Sequence, residues 1–164
     1  MSNVRYIRQP DSYGCGPTAI INALKWAGFR ATLKKHYRSL VVRCKAKDPD
    51  GHEFSGTTPK NFQNALKYTG RNLLKVKHLT HPSLKEISQE LNNGKAVVIL
   101  HFNQNDHGSS HYTLLIGKLG KDFIAVNAFH GCKTVAQISD KIIKTWTRRK
   151  ENMPMAWVLE KRKV

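Results

Sequence analysis

The chain has 164 residues, 40% of them hydrophobic, and its 28 Lys and Arg residues outnumber 11 Asp and Glu residues to give a formal net charge of +17. This length and composition predict a single domain over residues 1–164 with a core of its own. We expect neither a secreted nor a membrane-spanning protein. The N-terminal "MSNVRYIRQPD" lacks the apolar stretch of a signal peptide, and no later run approaches the roughly 20 apolar residues of a spanning helix.

Three helices are predicted in the first part of the chain. Residues 16–27, "GPTAIINALKWA", are apolar almost all round, with Pro17 suited to the first turn and Gly28 to the end. An uncertain segment follows. Residues 58–70 then form a second helix with apolar residues at helical spacing, and residues 83–94 form a third.

The later part of the chain predicts strands. "KAVVILHF", "HYTLLIG" and "DFIAVNAF" are apolar β-rich runs, and the short turn "KLGK" joins the last two as a hairpin. Ile138, Ile142 and Trp146 indicate a further short helix, and "MAWVLEK" a returning strand. Helices followed by antiparallel strands predict an α+β fold.

The cysteines and histidines do not predict a metal or a disulfide. The three cysteines are Cys15, Cys44 and Cys132. Their odd number and the lack of a CxxC pair indicate neither a disulfide scaffold nor a zinc knuckle, and favour a reducing compartment. The nearest histidine cluster is His101, His107 and His111, whose spacing matches no strong ligand pattern. We therefore expect neither a metal nor a cofactor.

Cys15 is the candidate nucleophile. It lies at the start of the first helix, where partial positive charge and free N–H groups favour a thiolate. Gly14 and Gly16 leave the neighbouring backbone bare, which would admit a substrate carbonyl. The alternative is a packed cysteine, which is common at such positions.

Three further residues complete a hydrolase site around this cysteine. With Leu119 at the centre of the hairpin turn, His111 is predicted to face Asn127, so that the side-chain amide orients the imidazole as a base. Gln9, six residues before the cysteine, can donate its amide N–H to an oxyanion. Each residue alone has an ordinary structural interpretation, as a paired strand histidine, a strand-end polar residue or a loop glutamine.

These stretches resemble a known family. "QPDSYGCGPTAIINAL", "GKAVVILHF" and "HYTLLIGKLGKDFIAVNAF" are similar to papain-like cysteine peptidases over roughly residues 7–130. The greatest similarity is to the double-glycine peptidases that process bacteriocin leaders and to their stand-alone relatives. The resemblance implies a nucleophile helix packed on an antiparallel sheet, with Gln9 in the oxyanion hole, Cys15 as nucleophile and His111 as base. The third residue is usually Asp in the double-glycine group and Asn in papain, so Asn127 follows papain.

The expected function is a cysteine peptidase that cleaves a peptide or isopeptide bond in the cytoplasm of a bacterium or a virus-infected cell. Its substrate is a peptide or protein, and the charge favours an acidic one. One alternative is an acyltransferase or deamidase that uses the same thioester. The other is a basic protein with a vestigial peptidase core that binds nucleic acid or another polyanion.

Several residues outside this site are also expected to have a structural or functional role. Asp11 and Tyr13 are expected to contact substrate, Trp26 and Trp146 to lie in the core, and Cys132 to be structural. Asp106 and His107 either line the cleft or belong to an ordinary loop. "KAKDPDGHEFSG" is a candidate lid by composition.

Overall fold

The structure is a computed structural model that describes residues 4–46, 56–102, 110–128, 133–148 and 155–163. The helices are α1 (Cys15–Trp26), α2 (Arg38–Cys44), α3 (Pro59–Gly70), α4 (Leu84–Asn92) and α5 (Asp140–Arg148), and a π-helical turn, Leu33–Tyr37, precedes α2. The strands are β1 (Leu74–Thr80), β2 (Ala96–Phe102), β3 (Ser110–Leu119), β4 (Asp122–Val126), β5 (Val135–Ile138) and β6 (Met155–Lys161). No helix in these ranges is both long and apolar enough to cross a membrane.

The strands form one antiparallel sheet in the order β1-β6-β2-β3-β4-β5. Successive side chains of a strand point to opposite faces, so two cores form. Val98, Leu114 and Trp157 are buried in the core under α1, α2 and α3, whereas Val97 and Leu115 are buried in the core under α4 and α5. The predicted α+β fold, with the nucleophile helix packed on an antiparallel sheet, is therefore confirmed.

The three predicted helices are confirmed as α1, α3 and α4, and their ends follow the sequence signals. Gly28 follows α1 with a φ of +100°, a conformation that glycine adopts without strain. Thr58 caps α3 by accepting the N–H of Asn61, and Pro59 occupies the first turn. The apolar runs "KAVVILHF" and "MAWVLEK" are confirmed as β2 and β6.

The predicted hairpin register is wrong. The turn is centred on Gly120 and Lys121, since Gly120 takes a φ of +62° and Leu119 pairs with Asp122. A shift between Leu115 and Gly117 adds one residue to β3. Asn127 therefore follows the end of β4 and does not lie opposite His111 in the ladder. No sequence pattern predicted α2, β1 or β5, and Ile138 lies in β5 instead of the last helix.

Ser83→Ala is expected to lower the free energy of unfolding by about 1 kcal/mol, and the melting temperature by about 2–4 °C. The Ser83 side chain accepts the backbone N–H of Glu86, while the Glu86 side chain accepts the N–H of Ser83, so α4 begins with a complete capping box. Thermal unfolding measures the change. Ser88→Ala, within the same helix, is the control, and an equal loss there would contradict the capping role.

Candidate active site

Cys15 is the first residue of α1, and its side chain is only 7% exposed because α1 packs on β3. The glycines on either side of Cys15 allow neighbouring side chains to pack closely against the backbone. A Cβ at Gly14 would overlap the Tyr37 hydroxyl, and a Cβ at Gly16 would lie 2.5 Å from Thr57 Oγ1. Tyr37 and Thr57 therefore occupy the space that a side chain at either position would need, which explains why both positions are glycine.

Burial raises the pKa of the Cys15 thiol above its ordinary value. Backbone hydrogen bonds from Tyr112, Gly16 and Cys15 itself act in the opposite direction, and the Asp11 carboxylate adds to the increase. The field of the helix N-terminus is therefore outweighed by desolvation of the thiolate. The raised pKa favours the protonated thiol over the thiolate.

Alkylation of Cys15 by iodoacetamide is expected to be slow at neutral pH and to accelerate only above the ordinary thiol range of about 8.5. A raised pKa leaves little thiolate below that range. Peptide mass spectrometry across a pH series follows each thiol separately, and Cys44, whose pKa burial raises to about 12, serves as the slower internal reference. Fast labelling of Cys15 below pH about 7 would instead show a preformed thiolate.

His111 lies on β3, one residue before the Tyr112 N–H that hydrogen-bonds to Cys15, and it is 7% exposed. Its Nε2 atom is 2.7 Å from the backbone carbonyl oxygen of Asn127. A carbonyl oxygen only accepts hydrogen bonds, so Nε2 carries the proton and donates it. In the neutral ring Nδ1 is then the basic nitrogen. The hydrogen bond thus sets both the tautomer and the orientation that a general base requires.

Asn127 holds His111 through its backbone, which differs from the predicted side-chain contact. The residue has a φ of +54°, and its own N–H donates to the carbonyl of Thr134 at 2.8 Å, so its carbonyl turns toward β3. Asparagine adopts this left-handed conformation more readily than most residues. Its side-chain Oδ1 instead accepts the backbone N–H of Gln9 at 3.2 Å.

Asn127→Gly is expected to retain activity within about tenfold of the wild type. Glycine keeps the carbonyl and tolerates the positive φ, so the variant loses only the Gln9 contact, about 0.5–1.5 kcal/mol. Steady-state cleavage rates measure the effect, and circular dichroism verifies the fold. A loss as large as that of His111→Ala would show that the side chain, and not the carbonyl, orients the imidazole.

Gln9 is tied to this site through its backbone, while its side-chain Nε2 donates to the carbonyl of Asp11. Its Oε1 is buried with no hydrogen-bond partner among the described residues. The Asp11 carboxylate accepts the Tyr37 hydroxyl at 2.6 Å and the backbone N–H of Tyr13 at 3.2 Å. Asp11 therefore anchors the loop before Cys15. The amide of Gln9 retains a second N–H that the Asp11 contact does not use.

A second histidine lies behind the first and was not identified as part of the site from the sequence. His101 on β2 pairs with His111 in the ladder, and their ring centroids are 5.7 Å apart. Its Nε2 is 2.9 Å from Thr113 Oγ1, and its ring stacks on Trp146 at 3.7 Å. The sequence shows one histidine in each of the two predicted strands. Only the β2–β3 register shows that the two residues are neighbours.

Some predicted residues cannot be placed. Asp106, His107, Cys132 and residues 47–55 of the candidate lid lie outside the described residues. Trp26 and Trp146, predicted to lie in the core, are half-buried at its edge. Within the ranges that the structure describes, no group of three His, Cys, Asp or Glu side chains is arranged to hold a metal ion.

An antiparallel sheet that carries a histidine and supports a helix beginning with a cysteine is the architecture of papain-like cysteine peptidases. The chain belongs to the Peptidase_C39 like family, which matches it over residues 1–151, and it is therefore a cysteine peptidase. A search of curated protein sequences gives no significant match.

Solved structures show the same fold. The peptidase domain of Streptococcus ComA, a bi-functional ABC transporter of a quorum-sensing pathway, aligns with a TM-score of 0.69 at 19% identity, over 96% of this chain and 100% of that domain. A putative C39-like peptidase from Bacillus anthracis aligns at 0.66 and 18% identity, over 100% and 98%. A double glycine motif protease from the AMS/PCAT transporter, solved with its leader peptide, aligns at 0.65 and 17% identity, over 98% and 94%.

Proposed function

We propose that the chain hydrolyses a peptide or isopeptide bond through a thioester on Cys15. The sulfur attacks the scissile carbonyl carbon as His111 Nδ1 takes the thiol proton, and the imidazolium then gives that proton to the leaving amine. A water molecule attacks the thioester, again with His111 as base, which releases the carboxylate and restores the thiol. Gln9 and the Cys15 backbone N–H donate to the oxyanion in both steps.

The observation that carries this proposal is the hydrogen bond from His111 Nε2 to the Asn127 carbonyl at 2.7 Å, one residue along β3 from the backbone group that hydrogen-bonds to Cys15. It supports an imidazole of fixed tautomer and orientation on the strand against which α1 packs. Because Asn127 also accepts the Gln9 N–H, a continuous set of contacts links the base to the segment that precedes the nucleophile.

The proposed substrate is a peptide, in keeping with the leader peptide bound to one structural neighbour. A net charge of +17 favours a substrate with acidic residues near the scissile bond. We further propose that the enzyme works in a reducing cytoplasm, where its nucleophile stays a thiol; Cys15 and Cys44 are both unpaired thiols in the structure.

Cleavage of a proteome-derived peptide library in heavy-oxygen water tests the function. Hydrolysis is expected to place one heavy oxygen in each new C-terminal carboxylate, because water resolves the thioester. Quantitative mass spectrometry identifies the products, with the library incubated without protein as the blank. Unlabelled products joined to an amine would show an acyltransferase, and a library left intact would contradict the peptidase function.

A further inference from the structure

One side of the molecule carries positive charge without negative charge among its described residues. Residues 12–46 and 56–73, which contain α1, α2 and α3, include ten Lys and Arg residues and no Asp or Glu. Nine of the ten side chains are exposed, and Lys25 is half-buried. We call this surface, on one side of the sheet, the basic face. The nine exposed residues are Arg30, Lys34, Lys35, Arg38, Arg43, Lys45, Lys60, Lys67 and Arg71.

The basic face has no carboxylate partners among the described residues. The ion pairs that the structure shows lie elsewhere, where Glu90 binds Lys77 and Lys95, and Glu160 binds Lys75 and Lys95. The described acidic residues thus neutralise lysines on β1 and beside α4 but none of those on α1, α2 or α3. A surface whose described residues carry a single sign of charge attracts an external polyanion.

The centre of the basic face is an exposed tyrosine between two arginines. The Arg43 guanidinium lies 3.9 Å from the Tyr68 ring centroid, and that of Arg71 lies 5.0 Å from it. Tyr68 is 50% exposed, and Val42, which precedes Arg43 in the chain, is 71% exposed. The ring holds two like charges close together, and an anion that contacts both would relieve their repulsion.

This cluster is separate from the proposed catalytic site. Thr57 precedes α3 and lies against Gly16, the neighbour of Cys15. The N-terminal end of α3 is therefore the end closer to Cys15. Tyr68 is nine residues beyond Pro59, about 14 Å along the helix axis. A ligand on Arg43, Tyr68 and Arg71 therefore does not need to occupy the position of the scissile bond.

We propose that the basic face binds single-stranded nucleic acid, with Arg43 and Arg71 on phosphates and Tyr68 against a base. Guanidinium groups form two parallel hydrogen bonds with phosphate, and exposed aromatic rings stack on bases of any sequence. The twelve residues of α3 extend about 18 Å, and the exposed Lys60, Lys67 and Arg71 lie on or directly after this helix. Positive charges spread over this length suit a polymer that carries a phosphate at every unit. An acidic peptide offers charge but no planar bases for the tyrosine.

Fluorescence anisotropy of the full chain with a labelled single-stranded DNA of mixed sequence tests the proposal. The logarithm of Kd is expected to rise linearly with the logarithm of the salt concentration between about 50 and 200 mM, because bound phosphates release counterions. Arg43→Gln together with Arg71→Gln is expected to lower affinity more than about tenfold near 0.1 M salt and to reduce the slope by about 1.4, because two phosphate contacts are lost. Tyr68→Ala is expected to lower affinity at least about fivefold with the slope unchanged.

The matched control removes two positive charges from other surfaces. Lys121, in the β3–β4 turn, and Lys141, on α5, are exposed, so Lys121→Gln with Lys141→Gln gives the same net charge as the arginine pair. Affinity for this variant is expected to stay within about threefold of the wild type. Equal losses of affinity in the two double variants would overturn the proposal, because they would show that the net charge of the protein, and not the basic face, attracts the DNA. Absence of binding, or displacement of the DNA by polyglutamate of equal charge, would also overturn it. The assay measures no turnover, so its outcome is independent of the proposed peptidase chemistry.

Discussion

Cys15→Ala is expected to lower the turnover of any cleaved peptide by at least about 10³-fold, to the level of the blank. Alanine has no nucleophilic atom, so the thioester cannot form, and the residual oxyanion contacts alone give little acceleration. Alanine is smaller than cysteine and favours helix, so α1 and its packing on β3 are preserved. Initial rates with a peptide from the cleaved library measure the change, and thermal unfolding verifies that the variant is folded.

Cys44→Ala is the matched control for this prediction. Cys44 is also a buried thiol, at the C-terminus of α2, and burial raises its pKa to about 12 although the Thr57 side chain partly lowers it. The proposed mechanism gives it no proton to transfer and no bond to form. Retained turnover in Cys44→Ala together with lost turnover in Cys15→Ala assigns the nucleophile. Activity that persists in purified Cys15→Ala would remove Cys15 from the mechanism.

His111→Ala is expected to reduce kcat by about 10²–10⁴-fold, since the neutral Cys15 thiol then has no base. The effect depends on pH in a defined direction. Burial raises the Cys15 pKa, so the variant should regain part of its rate as the pH increases and hydroxide deprotonates the thiol. A rate profile over neutral to alkaline pH, compared with that of the wild type, reports this recovery.

The control for His111 is a histidine that contacts neither Asn127 nor Cys15. His78, on β1, is exposed, with its ring 5.4 Å from that of Trp157, and His78→Ala should leave kcat unchanged. If His111→Ala kept the wild-type rate, or lost activity without any recovery at high pH, His111 would not be the base.

Local sequence signals sufficed for the elements that carry the candidate nucleophile and base. α1 was predictable because its residues are apolar almost all round, and Cys15 because an unpaired thiol stood at the start of that helix. β2 and β6 were predictable because each is a short apolar run between polar segments. β1 was missed because "LKVKHLT" alternates with lysines, and α2 because it follows a π-helical turn that has no clear sequence signal.

The contacts within the site were beyond the reach of local patterns. The extra residue between Leu115 and Gly117 shifts the β3–β4 register, and hydrophobic alternation does not reveal such a bulge. Asn127 contacts His111 through its backbone carbonyl and not through the predicted side-chain amide. A backbone carbonyl is present at every residue, and only the positive φ of Asn127 turns this one toward the imidazole. The Asp11–Tyr37 contact joins residues far apart in the chain and is set by the tertiary fold.

The position of β6 in the sheet has a consequence for the order in which the molecule assembles. β6 lies between β1 and β2 and pairs with both. β1 and β2 therefore cannot be joined in one sheet until residues 155–161 have been synthesised. Pairings between such distant segments form slowly, because a long loop must close first. A nascent chain on the ribosome therefore carries the cysteine helix well before the histidine strand belongs to a completed sheet, because the sheet closes only after β6 has been synthesised.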